Sequence, residues 1–243
     1  MVKLSERLQI IYGMVPECDV ICDVGCDHGY LAIALLEGGV ASHAIAMDVN
    51  KGPLNSAKEN VELYGLLDKV DFRLSDGLKK LAVSEADTIC ICGMGGALIT
   101  RILDAGIEVA KSAKTLILEP QSEYDKLREF LVRNHFSILD EELCIEEGKI
   151  YPIIKVCYTP DSSAVLSAAE LMYGPVIIKK KLPLFKRLLE KNKNEYLSIL
   201  DKLSLQKNIA EGSPIQKRID ELKENLSIID NLTGEMEGEP WLK

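Results

Sequence analysis

The stretch from Val20 to Leu31 constrains the fold most. Val20-Ile21-Cys22-Asp23 has strand character, Gly25-Cys26-Asp27-His28-Gly29 is a turn with two glycines, and a helical run follows from Leu31 to Leu36. A strand that ends in a glycine-rich turn at a helix N-terminus is a place to hold a nucleotide-like ligand. The glycines let the backbone approach the ligand and adopt dihedrals that other residues avoid.

The rest of the chain repeats the alternation. A short helix is expected over residues 2–14, where Leu4, Leu8 and Ile11 recur at helical spacing. Further strands are expected at Ala44–Asp48, Val70–Leu74, Thr88–Cys92, Thr115–Leu118, near Phe136–Leu139 and at Tyr151–Tyr158, with helical patterns between most of them. Such alternation predicts an α/β fold, a Rossmann-like doubly wound and mostly parallel sheet covered on both faces. In these sheets the ligand lies beyond the C-terminal strand ends. The unusual residues fall there: Gly25 to Tyr30, Asp48, Asp76-Gly77, Gly93-Met94-Gly95-Gly96 and Glu119-Pro120-Gln121.

Composition shifts near Asp161, which divides the chain into residues 1–160 and 161–243. In the second part a long helix is expected from about Pro183 to Ala210. Its apolar seam is Phe185, Leu189, Asn192, Tyr196, Ile199 and Leu203, a coiled-coil spacing with one polar member. Gly212-Ser213-Pro214 breaks it, and Ile215, Ile219, Leu222, Leu226 and Ile229 form a second seam. So short a turn predicts an antiparallel helical hairpin. Glu235 to Lys243 reads as a frayed end.

The turn itself discriminates between ligands. In the dinucleotide fingerprint a second glycine lets a pyrophosphate approach the backbone. Here Asp27 stands at that point and Asp23 precedes the turn, so an anion would be repelled. A cationic ligand suits the site better. S-adenosyl-L-methionine has a sulfonium, an amine, a ribose and an adenine, and no phosphate. Asp23, Asp48 and Asp76 match its amine, ribose and adenine in turn, and Asp48 lies 23 residues past Gly25, where the ribose-binding acid is expected.

Charge bears on the substrate. The net charge is −9, but residues 1–160 hold 16 Lys+Arg against 25 Asp+Glu, which leaves 13 of each for residues 161–243. Between Lys179 and Lys193, seven cations (Lys179, Lys180, Lys181, Lys186, Arg187, Lys191, Lys193) face Glu190 alone. A patch of this kind grips phosphates even on an acidic protein, or else is a solvated helix face. The seven cysteines are odd in number and sit largely in strand patterns, so they read as buried thiols in a cytoplasmic protein, with no zinc set. The longest apolar runs are strand-sized, well short of a membrane span.

Asp23-Val24-Gly25-Cys26-Asp27-His28-Gly29 resembles the first motif of class I methyltransferases. Together with Gly93-Met94-Gly95-Gly96 and Glu119-Pro120-Gln121 it resembles the bacterial tRNA (adenine-N1)-methyltransferase family TrmK, which acts on tRNA position 22, and the likeness spans the whole chain. The resemblance implies a seven-stranded sheet with an antiparallel strand near Tyr151–Tyr158, and a helical C-terminal domain. It implies S-adenosyl-L-methionine as cofactor and tRNA as partner. Cofactor contacts are then expected from Asp23, Gly25, Cys26, Asp27 and His28 at the first strand end and from Asp48, Val49 and Asn50 at the second. Ser75, Asp76 and Gly77 follow at the third, and Gly93 and Met94 close the site.

The target atom sets the chemistry. Adenine N1 has a lone pair in the ring plane and attacks the methyl directly, so Cys26 and Cys92 need no covalent role. Gly93-Met94-Gly95-Gly96 stands where enzymes that methylate the adenine amine carry an Asn/Asp-Pro-Pro-aromatic motif, which speaks against N6 chemistry. The catalytic candidates are Asp27 for the developing positive charge, His28 as its polar neighbour and Tyr30 to stack the unpaired base. Asp27 reads alternatively as a helix cap, and Tyr30 as a core residue. The RNA-binding candidates are Arg7, Lys179, Lys180, Lys181, Lys186 and Arg187. A small-molecule methyltransferase and a non-catalytic RNA- or protein-binding module are the competing functions. A monomer or weak homodimer is expected, without a membrane.

Overall fold

The computed structural model describes residues 2–205 and 209–237. Seven strands form one sheet in the order β3-β2-β1-β4-β5-β7-β6. They are β1 Cys18–Val24, β2 Ala41–Asp48, β3 Val70–Leu74, β4 Thr88–Met94, β5 Thr115–Pro120, β6 Phe136–Glu146 and β7 Lys149–Tyr158. The first five run parallel, and β7 is antiparallel to both β5 and β6. The helices α1 Glu6–Met14, α2 Tyr30–Glu37 and α3 Lys51–Leu63 cover one face. The other face carries α4 Gly96–Ala105, α5 Ile107–Ser112 and α6 Tyr124–Arg133.

The apolar runs make this sheet because both faces are buried and side chains alternate between them. Ile21, Ala44, Ala46, Cys90 and Ile117 join the core under α1–α3. Their neighbours Cys22, Val24, Ile45, Met47, Ile89, Ile91, Leu116 and Leu118 join the core under α4–α6. Each fully buried Ile or Leu contributes about 1.5–3 kcal/mol.

Four expectations are corrected in detail. The first helix starts at Glu6, because the Ser5 Oγ accepts from the Leu8 N–H as its cap. The strand from Phe136 does not stop near Leu139. It passes a bulge between Ile138 and Asp140 and runs on to Glu146, where Glu147 and Gly148, both at positive φ, turn the chain into β7. The helical stretch near Ala168 is two short helices, α7 Ala168–Tyr173 and α8 Pro175–Lys180, separated by Gly174 at φ 95°. The long helix α9 covers Pro183–Ser204 rather than reaching Ala210. Its partner α10 covers Pro214–Glu237 and packs against it; residues 238–243 of the expected frayed end lie outside the described part.

A third core holds these helices to the sheet. Leu143 and Ile150 of the β6–β7 hairpin meet Tyr173, Ile177, Phe185, Leu189, Ile229 and Leu232. Asn192, the polar member of the seam, donates from Nδ2 to the Tyr173 hydroxyl at 3.2 Å, so it ties α9 to α7. Beneath lies a buried ion pair. Glu141 accepts from Arg128 Nε at 2.9 Å and from the Val176 N–H at 2.9 Å, at the start of α8. Arg128 Nη1 donates to the carbonyls of Leu171 and Met172 at the end of α7. The carboxylate caps one helix and the guanidinium closes the other.

Candidate active site

The turn after β1 is built by backbone bonds. The N–H groups of Gly25 and Cys26 both donate to the Met47 carbonyl, at 2.8 and 3.0 Å, which fixes β1 to β2 at their ends. Gly25, Asp27 and Gly29 sit at φ 76°, 47° and 71°. A Cβ on Gly25 would fall 2.3 Å from Met94 Cε, so the fourth strand end closes directly over the first. Gly29 is the N-cap of α2, without a side-chain cap bond.

Asp27 is therefore not the cap that sequence offered as an alternative. Its side chain is 70% exposed, with Oδ1 3.6 Å from His28 Nε2. The His28 and Tyr30 rings stack with centroids 5.7 Å apart and planes 28° apart. Tyr30 is exposed rather than a core residue. Asp23 is the opposite case: it is buried, and burial pushes its carboxyl up to about 7, against the pull of Arg7 and with help from Asp48 and Asp27. Arg7, Asp23, Cys26, Asp27, His28 and Tyr30 line a recess of about 80 Å³. Burial also holds the Cys26 and Cys92 thiols well up, so they stay protonated and are poor nucleophiles.

The ends of β2 and β3 lie outward from β1 along the same edge of the sheet; Asp48 acts on Asp23, whereas Asp76 lines a separate pocket with Lys79 and Arg101. Asp48 is buried, and its Oδ1 accepts from the Asn50 N–H at 2.7 Å, while Val49 and Asn50 are exposed. Ser75 is spent on its own turn: its Oγ donates to the Gly77 carbonyl and accepts from the Lys80 N–H. Asp76 is exposed and pairs with Lys79 at 2.6 Å, which lowers its pKa. Gly77, at φ 59°, lets the turn lie against Ile102.

The Gly93–Gly96 segment is explained by the loop after β5. Gly93 donates to Glu119 Oε2 at 2.6 Å, Gln121 donates to the Met94 carbonyl at 2.8 Å, and Gly96 donates to the Ser122 carbonyl at 3.0 Å. A Cβ on Gly96 would fall 2.4 Å from that carbonyl oxygen, so the two loops lie backbone to backbone. No amide or carboxylate side chain of this segment faces the site.

The RNA-binding candidates divide. Arg7 does not reach outward: Nη1 bonds Glu119 at 3.1 Å and Nε bonds Glu146 at 2.9 Å. Lys180 is held by Asp140, Glu142 and the Glu141 carbonyl, so it docks α8 on β6 rather than offering a charge to phosphate. Lys193 pairs with Asp230 across the α9–α10 contact. Lys179, Lys186, Arg187 and Lys191 are exposed, and Lys181 ends α8 in a left-handed conformation. Glu146 carries no signal in the sequence, and Glu119 stands out there only as a carboxylate at the end of a buried strand. A larger cleft, about 710 Å³, lies between the sheet edge and α9–α10. Tyr124, Tyr151 and Tyr196 line it, and its acids (Glu123, Asp125, Glu195, Glu221, Glu224) outnumber its bases (Lys149, Lys191, Arg218).

Among the described residues, no group of three or more His, Cys, Asp or Glu is placed to hold a metal ion, and no helix is long and apolar enough to cross a membrane. The strand order, the left-handed turn after β1 and the acids at the ends of β1, β2 and β3 define a class I methyltransferase. The sequence profile of the TrmK family, tRNA (adenine(22)-N(1))-methyltransferase, matches residues 21–225. The chain belongs to this family. A Bacillus subtilis tRNA (adenine(22)-N(1))-methyltransferase is 33% identical over 231 residues, 93% of this chain and 95% of that protein. The crystal structure of the B. subtilis m1A22 tRNA methyltransferase TrmK superposes with a TM-score of 0.85 at 31% identity, over 96% of this chain and 99% of that one. A Streptococcus pneumoniae structure in complex with S-adenosyl-L-methionine superposes with a TM-score of 0.83 at 32% identity, over 95% of this chain and 99% of that one.

Proposed function

We propose that the chain transfers a methyl group from S-adenosyl-L-methionine to N1 of adenine 22 in tRNA. The observation that carries this reading is the buried Asp23 beneath the Gly25–Gly29 turn, in a chain of this family. A buried carboxylate there disfavours a pyrophosphate and favours an amine.

The residues present fit the cofactor. Asp23 takes the amine, Asp48 the ribose hydroxyls and the segment Asp76-Gly77 the adenine, while Val49 offers an exposed apolar surface beside it. Gly25 and Gly29 permit close approach of the backbone, and Met94 closes over Gly25. When bound, S-adenosyl-L-methionine supplies a methyl group activated by its sulfonium.

Adenine N1 takes that methyl through its in-plane lone pair, so no side chain acts as nucleophile, in keeping with protonated Cys26 and Cys92. N1 is blocked in a Watson–Crick pair, so the base must be unpaired or flipped out. The His28–Tyr30 stack at the mouth of the recess offers the aromatic surface for it. Asp27, exposed beside His28, faces the positive charge that develops on the ring. Alignment of base and methyl supplies much of the acceleration.

In this reading residues 1–160 bind the cofactor and residues 161–243 grip tRNA, with Lys179, Lys181, Lys186 and Arg187 as phosphate contacts. The protein works in the cytoplasm as a monomer or weak homodimer. Incubation with labelled cofactor and tRNA lacking the modification tests it. Label in tRNA supports the reading, and cofactor binding without any transfer to tRNA contradicts it.

A further inference from the structure

Glu119 has no exposed surface, yet it carries a carboxylate at the end of the fully buried run Leu116–Leu118. Burying a charge is costly unless it is paired and hydrogen-bonded. Of its two hydrogen-bond partners, Arg7 lines the recess and Gly93 directly follows Cys92, which lines it too. Oε2 accepts from the Gly93 N–H at 2.6 Å and from Arg7 Nη1 at 3.1 Å, while Oε1 is buried without a protein partner.

These two contacts have different effects. The bond to Gly93, at φ 76°, fixes the turn whose next residue, Met94, lies against Gly25. The bond to Arg7 draws the first helix across the recess. There the guanidinium lies between Glu119 and, through Nε at 2.9 Å, Glu146 on β6. The recess wall thus contains a cation whose charge is offset by two carboxylates, and which is close enough to act on Asp23. An unpaired Arg7 would repel a cationic ligand; a paired one can close the site without doing so.

We propose that Glu119 is a positioning residue for methyl transfer, holding Arg7 across the recess and the Gly93 turn beneath it in one fixed arrangement. It acts through Arg7 and Gly93 and touches neither cofactor nor base. Four segments distant in sequence (α1, the β4 end, the β5 end and β6) meet on this one network. The proposal rests on the methyltransferase reading. Failure of the parent protein to methylate tRNA would count against that reading. The pH dependence of cofactor binding, compared between parent and variant, tests Glu119 by itself.

The test is Glu119→Gln, whose amide oxygen can still accept from Gly93 but which removes the negative charge that pairs with Arg7. Its kcat should fall about tenfold or more, with KM for tRNA within about threefold, because reactants are misaligned rather than released. Calorimetric titration with S-adenosyl-L-methionine at several pH values should show the midpoint of affinity moving to lower pH. Arg7, relieved of one carboxylate, acts more strongly on Asp23. A folded variant with kcat within about twofold of the parent overturns the proposal. So does a loss of kcat with the pH midpoint unmoved, which marks a merely structural role. If Glu119→Gln does not fold, Arg7→Lys keeps the charge and loses the fork of donors. It should show the same loss of kcat, and parental turnover in it overturns the proposal equally.

Discussion

Arg128 and Glu141 meet at 2.9 Å with 1% and 0% of their side chains exposed, and between them they close α7 and open α8. Gly174 sits between the two helices because no side chain fits there: a Cβ would lie 2.3 Å from the Glu141 carboxylate. The helical region is thereby docked on the sheet edge. Glu141→Ala leaves a buried guanidinium and the first N–H groups of α8 without their acceptor. Breaking such a pair from one side costs about 3–5 kcal/mol. Urea denaturation should show a loss in that range, and a loss under about 1 kcal/mol would contradict this account of the docking.

Cofactor affinity should depend on pH through Asp23. Burial raises its carboxyl from 3.8 to about 7, so below that pH the empty site holds a proton. Pairing with a cationic amine requires the carboxylate, so binding releases the proton. Affinity should be full above about pH 8 and fall roughly tenfold per unit below about pH 6. The sign is opposite for the empty fold. The folded state keeps a proton that the unfolded chain has lost, so stability declines as pH rises from about 4 to about 7. Calorimetric titration across this range checks the first, and thermal melts without cofactor check the second. An affinity flat from pH 5.5 to 8.5 would contradict the role given to Asp23.

Tyr30 supplies a separable test of the base platform. Stacking of a base on an aromatic ring is worth about 1–3 kcal/mol. Tyr30→Ala should lower kcat/KM for tRNA by about one to two powers of ten, and Tyr30→Phe should retain most of it. Cofactor affinity should change little in either. Equal losses in Ala and Phe variants would point to the hydroxyl and away from stacking.

The basic segment is less basic than its sequence. Lys180 and Lys193 are engaged by Asp140, Glu142 and Asp230. Charge reversal at Lys179 and Arg187 should weaken tRNA binding and reduce the salt dependence by roughly 0.7–0.9 per lost phosphate contact. Lys180→Glu should instead lower the melting temperature, since it places a third acid beside Asp140 and Glu142. Unchanged tRNA affinity in the first pair would mean that this face is only solvated.

The sheet was legible in the sequence because each parallel strand is buried on both faces and reads as an apolar run bounded by turns. The acids at the strand ends were legible because they interrupt those runs at Asp23, Asp48 and Asp76. What stayed hidden depends on partners far along the chain. Arg7 finds Glu119 and Glu146, separated from it by 112 and 139 residues. Asp140-Glu141-Glu142 looks like the end of a strand, yet β6 continues because Arg128, Val176 and Lys180 satisfy those carboxylates. For Asp27 the sequence left a helix cap open beside the catalytic role; Gly29 holds the cap position and Asp27 is turned outward. Local pattern records which residues are apolar, and not which distant group will neutralise a charge.

The account stands or falls on which atom is methylated. Unmodified tRNA should be incubated with the protein and S-adenosyl-L-methionine, then digested for mass spectrometry and copied by reverse transcriptase. N1-methyladenine blocks Watson–Crick pairing, so the account predicts one added methyl and a stop at adenine 22. A methyl on the exocyclic amine, or no methyl in tRNA with cofactor bound, would contradict it.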